Sequence, residues 1–137
     1  HQPAPAFPAG EQFTYCNTGY ILLALVVEKA SGQPFGRLLR QRIIRPLRLR
    51  DTYLYTLTMP KSPKNRVYGM QYVAGRWQPN DLIIMDGVFG DGNVYASVLD
   101  LLKWDRALYV EKLVSRATLT EAFTPVKVRN VPPFQYG

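Results

Sequence analysis

Cysteine and histidine are almost missing from this 137-residue sequence, which holds one of each, Cys16 and His1. A lone cysteine excludes an intrachain disulfide and a cysteine-based zinc site. The histidine is the first residue, and a chain terminus is usually the least ordered place to hold the oriented imidazole that a Ser-His-Asp or Cys-His group needs. Histidine-rich metal sites fall with it, so neither a metal nor a cofactor is expected. Long apolar runs are lacking as well. Nothing approaches the ~18 residues that a bilayer-spanning helix requires, and the first dozen residues carry no charged-then-apolar leader pattern, so no membrane span is expected. Internal repeats and low-complexity segments are absent too.

Acidic residues are few, 10 against 17 Lys+Arg, which leaves a net charge of +7 and a pI near 9.7. Such a balance raises nucleic acid or an anionic cell-wall polymer as a partner. The charge is concentrated in Arg37, Arg40, Arg42, Arg45, Arg48 and Arg50. A basic, solvated helix face and its exit turn account for that run as well as a phosphate-binding face does. Single-stranded nucleic-acid binders set aromatics among their basic residues, and this run has only Phe35 at its edge, so nucleic acid is not the expected partner. With 47% apolar and 20% charged residues the chain falls in the range of one globular domain. A chain of this size buries only about two-thirds of the surface it exposes when unfolded.

The pattern of residues along the chain predicts a mainly helical α+β arrangement of about four helices with a short β-hairpin. Residues 1–12 hold three prolines and a glycine, which suits an extended approach ending in a turn at Pro8-Ala9-Gly10. A helix is predicted from Asn17 or Thr18, either of which can cap it, to about Ser31, with Gly32 just beyond. Tyr20, Ile21, Leu23, Ala24, Leu25 and Val27 cover most of its circumference, so it is expected to be largely buried. A second helix, Phe35–Arg45, places Leu38, Leu39, Ile43 and Ile44 inward and stops at Pro46. A short strand over 53–57 and a proline-rich loop over 59–66 follow.

Val67–Val73 and Arg76–Pro79 flank Ala74-Gly75 as a hairpin. The Asp- and Gly-containing stretch from Asn80 to Asn93 matches neither a phosphate loop nor a calcium loop in spacing. Ser97 and Asp100 resemble a capping box opening a helix to Tyr109, and Ser115 caps another to Phe123. Residues 126–137 are extended and end as though a strand were starting.

The most site-like stretch is Phe13-Thr14-Tyr15-Cys16-Asn17-Thr18-Gly19-Tyr20, where two polar side chains stand at the start of an apolar helix. With Glu28-Lys29-Ala30-Ser31-Gly32-Gln33-Pro34-Phe35, then Pro46-Leu47 with Leu49 and Thr52, then Gly90-Asp91-Gly92-Asn93 through Ser97, Asp100-Leu101 and Trp104, it resembles the serine β-lactamase-like family. Class C β-lactamases, their related esterases, D-aminopeptidases and penicillin-binding proteins form the most similar branch. The resemblance runs in order from about Phe7 to Gly137.

What the resemblance implies is acyl transfer through a serine ester. In that family a Ser-x-x-Lys motif supplies the nucleophile and a lysine, a Tyr-x-Asn element supplies a proton-transfer tyrosine and a substrate-contacting asparagine, and a late Lys/His-x-Gly strand lines the other wall. Tyr15 takes the catalytic position and Asn17 the substrate-binding one. Cys16 falls at the variable middle position, where a small packed residue is expected rather than a reactive thiol. Three residues after Ser31, Ser62, Ser97 and Ser115 stand Pro34, Asn65, Asp100 and Thr118, so no Ser-x-x-Lys is present. The expectation is therefore a single partial domain, residues 1–137, from the centre of such a hydrolase, inactive by itself. Its parent would act on a small β-lactam, ester or D-peptide substrate. A phenol ionises near pH 10, so holding a tyrosine as a base at neutral pH costs roughly 4 kcal/mol unless lysines or a coupled hydroxyl offset it. The resemblance puts those partners in the two motifs not present here. Surface that such segments would cover is apolar, so self-association of the isolated chain is also expected.

Overall fold

The computed structural model describes residues 4–57, 59, 63, 65–81, 87–125 and 129. In chain order they form α1 (Asn17–Ser31), α2 (Phe35–Leu39), a π-helical stretch (Arg40–Ile44), α3 (Arg45–Leu47), β1 (Tyr53–Leu54), β2 (Met70–Val73), β3 (Arg76–Pro79), β4 (Val94–Tyr95), α4 (Val98–Ala107) and α5 (Arg116–Phe123). Because α2, the π stretch and α3 run on without a break, the helical bodies among the described residues are four, beside one hairpin and one small ladder. This is the mainly helical α+β arrangement expected of a section of a β-lactamase-like fold. The extended end expected over 126–137 lies outside the described residues, Arg129 apart.

The chain enters α1 through a turn in which the Glu11 N–H donates to the Pro8 carbonyl (3.3 Å). Cys16, extended at φ −145° and ψ 113°, is the N-cap, and its side chain makes no capping bond. The predicted cap at Asn17 or Thr18 is thus one or two residues late. Gly32 ends the helix with φ 64°, a left-handed geometry that glycine adopts without Cβ strain, and its N–H reaches the Glu28 carbonyl. The Glu28 carboxylate accepts from the Phe35 N–H (2.6 Å), which fixes the turn into α2.

Two further expectations about the helices need correction. The helix predicted to stop at Pro46 continues through it to Leu47. Proline has no N–H and its ring crowds the carbonyl four residues back. Widening to π geometry, with the Arg45 N–H bonded to the Arg40 carbonyl five residues back, rearranges the turn before Pro46, and the helix carries the ring without a break. The second correction concerns α1. Only Ala24 is buried; Leu22, Leu23, Leu25 and Val26 are exposed. Its apolar residues encircle the helix, and the described residues cover it on one side only.

β1 pairs antiparallel with β4, Tyr53 opposite Tyr95, and the two rings stack at 5.4 Å and 4°. The strand expected over 53–57 is shorter because its partner is only two residues long. The hairpin forms around Ala74-Gly75 as predicted, with Met70↔Pro79 to Val73↔Arg76 in register, but its first strand starts at Met70 and not at Val67. Ala74 and Gly75 both have positive φ, 51° and 79°, as the favoured two-residue hairpin turn requires.

A small core joins the exit of α3 to α4: Leu47, Leu49 and Ala107, with Ile43, Ile44, Trp104 and Leu113 packed around them. Asp100 in α4 is 1% exposed. The Ser97 hydroxyl accepts from the Asp100 N–H (3.2 Å) as predicted. The carboxylate does not return to cap Ser97. It accepts instead from the Asp51 N–H (2.7 Å), the Thr52 hydroxyl (2.9 Å) and the Lys103 ammonium (2.6 Å), tying α4 to the turn that leads into β1.

Candidate active site

The Tyr15-Cys16-Asn17 element stands where an extended segment becomes α1. Tyr15 is 58% exposed, and its ring lies 5.7 Å from that of Tyr20, one turn into the helix. An open cleft of about 370 Å³ lies here, lined by Phe13, Thr14, Tyr15, Cys16, Tyr20 and Leu23 among others. Asn17, the first residue of α1, is also exposed. Both residues singled out in the sequence therefore present their side chains at one loop-to-helix junction. The local reason is that Cys16 holds the last extended φ/ψ pair, so the chain turns between the two polar side chains.

Cys16 departs from the expectation of a small packed residue, because it is exposed. The Gly19 N–H and the Thr18 hydroxyl stabilise its thiolate and outweigh a smaller opposing effect of burial, which holds the thiol below its ordinary value. The Gly19 N–H donates to the Cys16 carbonyl (3.1 Å), so it acts on the sulfur as a nearby dipole at the helix start and not as a capping bond.

Two tertiary features outside the cleft were not legible in the sequence. The turn-rich stretch after Gly87 runs against α1 at Gly90, and this close approach has no local signature beyond a glycine. Arg66, in the stretch read from the sequence as a proline-rich loop, stands outside helix and strand and is the centre of an aromatic box. Its guanidinium lies 4.3 Å from the centroid of the Tyr55 ring, 4.9 Å from that of Tyr68 and 5.0 Å from that of Tyr95. It also pairs with Asp81 (2.6 Å) and donates to the Tyr95 hydroxyl (3.1 Å). Tyr53, stacked on Tyr95, has its phenol pushed up by burial, against the pull of the Arg66 charge.

The six arginines from Arg37 to Arg50 are all exposed, and among the described residues none of them forms a salt bridge. Phe35, the aromatic at their edge, is stacked on Phe89 (5.5 Å, 9°) rather than free to take a base. Among the described residues no group of three or more His, Cys, Asp or Glu side chains could hold a metal ion, and no helix is long and apolar enough to cross a membrane.

Comparison with known proteins joins these features. A family model described as Beta-lactamase matches residues 1–136. Penicillin-binding protein 4* of Bacillus subtilis is 32% identical over 141 residues, covering 96% of this chain and 31% of its own length. The D-alanyl-D-alanine-carboxypeptidase/endopeptidase AmpH of Escherichia coli is 32% identical over 95 residues, 69% of this chain and 23% of that protein. Among solved structures, the octameric penicillin-binding protein homologue from Pyrococcus abyssi superposes with a TM-score of 0.77 at 31% identity, covering 98% of this chain and 29% of that one. The D-amino acid amidase from Ochrobactrum anthropi gives a TM-score of 0.68 at 25% identity, over 81% of this chain and 33% of that one. The chain thus spans about a third or less of the length of these four relatives. A family match over residues 1–136 leaves one conclusion: the chain belongs to the beta-lactamase family.

Proposed function

We propose that this chain is the central, mainly helical section of a serine hydrolase that transfers the acyl group of a β-lactam, ester or D-peptide through a serine acyl-enzyme. Tyr15 moves the proton and Asn17 contacts the substrate. The observation that carries this is the Tyr-x-Asn element at the head of a 15-residue helix, with Tyr15 facing an open cleft. The names of the relatives, a carboxypeptidase/endopeptidase and an amidase among them, support hydrolysis of an acyl bond.

The chemistry needs more than these residues. Attack on an acyl carbon requires an activated serine, and activation requires a base whose protonated form is supported by nearby charge. No Ser-x-x-Lys occurs in the 137 residues, so the family's serine nucleophile is not present beside Tyr15, and no serine-dependent turnover is expected of the chain by itself.

The test has two arms. The purified 137-residue chain is assayed with nitrocefin and p-nitrophenyl butyrate, with no rate above background expected; hydrolysis abolished by Tyr15→Phe would overturn the claim of incompetence. In a protein that joins this segment to the family's Ser-x-x-Lys and Lys/His-x-Gly segments, Tyr15→Phe is expected to lower kcat by about 10²–10⁴, the usual worth of a positioned proton-transfer group. An unchanged kcat would remove Tyr15 from the mechanism.

A further inference from the structure

We propose that Gly90 is a positioning residue for the Tyr15–Asn17 site, acting through Tyr20, because the bare backbone at position 90 is what lets α1 stand where it does. The inference rests on the reading of Tyr15 given above. A Cβ built on Gly90 would lie 2.5 Å from the Tyr20 carbonyl oxygen, 3.0 Å from its carbonyl carbon and 2.9 Å from the Ala24 Cβ. Separations under 3.0 Å essentially never occur for a real Cβ, and ordinary contact begins at 3.4 Å. Any side chain there therefore forces a movement of about 0.5–0.9 Å between the loop and the helix, enough to matter where reacting groups must meet.

Which of the two moves decides the consequence. The loop is anchored at several points. The Asn93 side-chain amide donates to the Val88 carbonyl, and the Tyr55 N–H donates to the Asn93 carbonyl (2.8 Å). Phe89, next to Gly90, is stacked on Phe35 (5.5 Å). Position 90 itself is at φ 108°, open to glycine and strained for any other residue, so the backbone has little room to adapt. Among the described residues α1 has no comparable hold on its far side, where Leu22, Leu23 and Val26 are exposed. The helix yields. Tyr20, the residue struck, is the one whose ring touches Tyr15. A push at its carbonyl reaches the first turn, and with it the spacing of Tyr15 and Asn17.

Cys16 provides a built-in reporter between those two residues, since its thiolate depends on the Gly19 N–H and the Thr18 hydroxyl of the same turn. The experiment measures the pH–rate profile of iodoacetamide alkylation of Cys16 in the 137-residue chain, with helix content followed by circular dichroism. In Gly90→Ala the midpoint is expected to move up toward that of the urea-unfolded chain, with alkylation near pH 7 slowed about threefold or more as the thiolate fraction falls.

Two controls separate contact from general weakening. Gly92→Ala meets nothing within 4 Å, and Gly32→Ala places similar left-handed strain (φ 64°) at the other end of α1, also with nothing within 4 Å. Neither is expected to move the profile. Should Gly90→Ala not fold, it is combined with Ala24→Gly, which removes the Ala24 Cβ from the contact but leaves the Tyr20 carbonyl in the way, and the double variant is expected to shift the profile upward relative to Ala24→Gly alone; equal profiles overturn the proposal.

A folded Gly90→Ala chain with the wild-type profile overturns the proposal, and so does an equal shift in Gly32→Ala. The thiol readout needs no turnover, so its failure is distinct from failure of the hydrolase reading, which Tyr15→Phe tests separately.

Discussion

Removing the Asp100 carboxylate should be among the most damaging single changes in this chain, and the structure says by how much. The side chain is 1% exposed. One of its oxygens takes both the Asp51 N–H and the Thr52 hydroxyl, and the other takes Lys103. Hydrogen bonds to an ionised group are worth about 1.5–3 kcal/mol each, and a buried donor left without a partner adds its own desolvation cost. The Lys103 side chain is 43% exposed, so it can turn to water and contributes little. Asp100→Ala is therefore expected to lose about 3–5 kcal/mol, in the range found when one partner of a buried charged group is deleted.

Asp100→Asn can keep an oxygen on Asp51 and Thr52 while its amide nitrogen replaces the oxygen that held Lys103. It should lose only about 1–2 kcal/mol, the difference between charged and neutral bonds. Urea unfolding followed by circular dichroism reads both variants. The pH dependence supplies an independent check. Burial would raise the Asp100 pKa, but the bonds from Lys103, Asp51 and Thr52 outweigh it and hold the carboxyl below its ordinary value. A carboxylate whose folded pKa lies below the unfolded one stabilises above the unfolded value, and that stability disappears as pH falls through the folded one. The gap between wild type and Asp100→Ala should be full at pH 7 and begin to close only below about pH 4. A loss under about 1 kcal/mol for Asp100→Ala, or equal losses for Ala and Asn, would refute the assignment of the carboxylate as the junction between α4 and β1.

Two further substitutions test local supports of the fold. Ser97→Ala removes the α4 cap that accepts from the Asp100 N–H and should cost about 1 kcal/mol in the same urea assay; a neutral result would mean the cap contributes nothing here. Arg66→Lys keeps the charge but not the planar group lying over three tyrosine rings while pairing Asp81. It should destabilise by about 1–3 kcal/mol, because an ammonium can neither stack nor reach both partners. A midpoint of unfolding equal to wild type would show that the box needs only a positive charge.

Features set by near neighbours were legible in the sequence. The course of α1, its end at Gly32, the hairpin around Ala74-Gly75 and the Ser97 and Ser115 caps each follow from residues within a turn or two of one another. The Tyr15-x-Asn17 element was legible for the same reason, since a motif three residues long at a helix start needs no distant contact to be formed. The tertiary structure alone decided the rest. Asp100 looked like half of a capping box, but its carboxylate answers to Asp51 and Thr52, some fifty residues away. Arg66 found its tyrosines only when β1 met β4. Pro46 stops a helix by local rule, and here the preceding turn widened to carry it. Gly90 resembled any turn glycine until α1 came within 2.5 Å of where its side chain would be. Local propensity acts through neighbouring φ/ψ angles and side chains and can be seen in sequence order. Close approach, burial and shared hydrogen bonds exist only once distant segments occupy the same space, so they are properties of the fold.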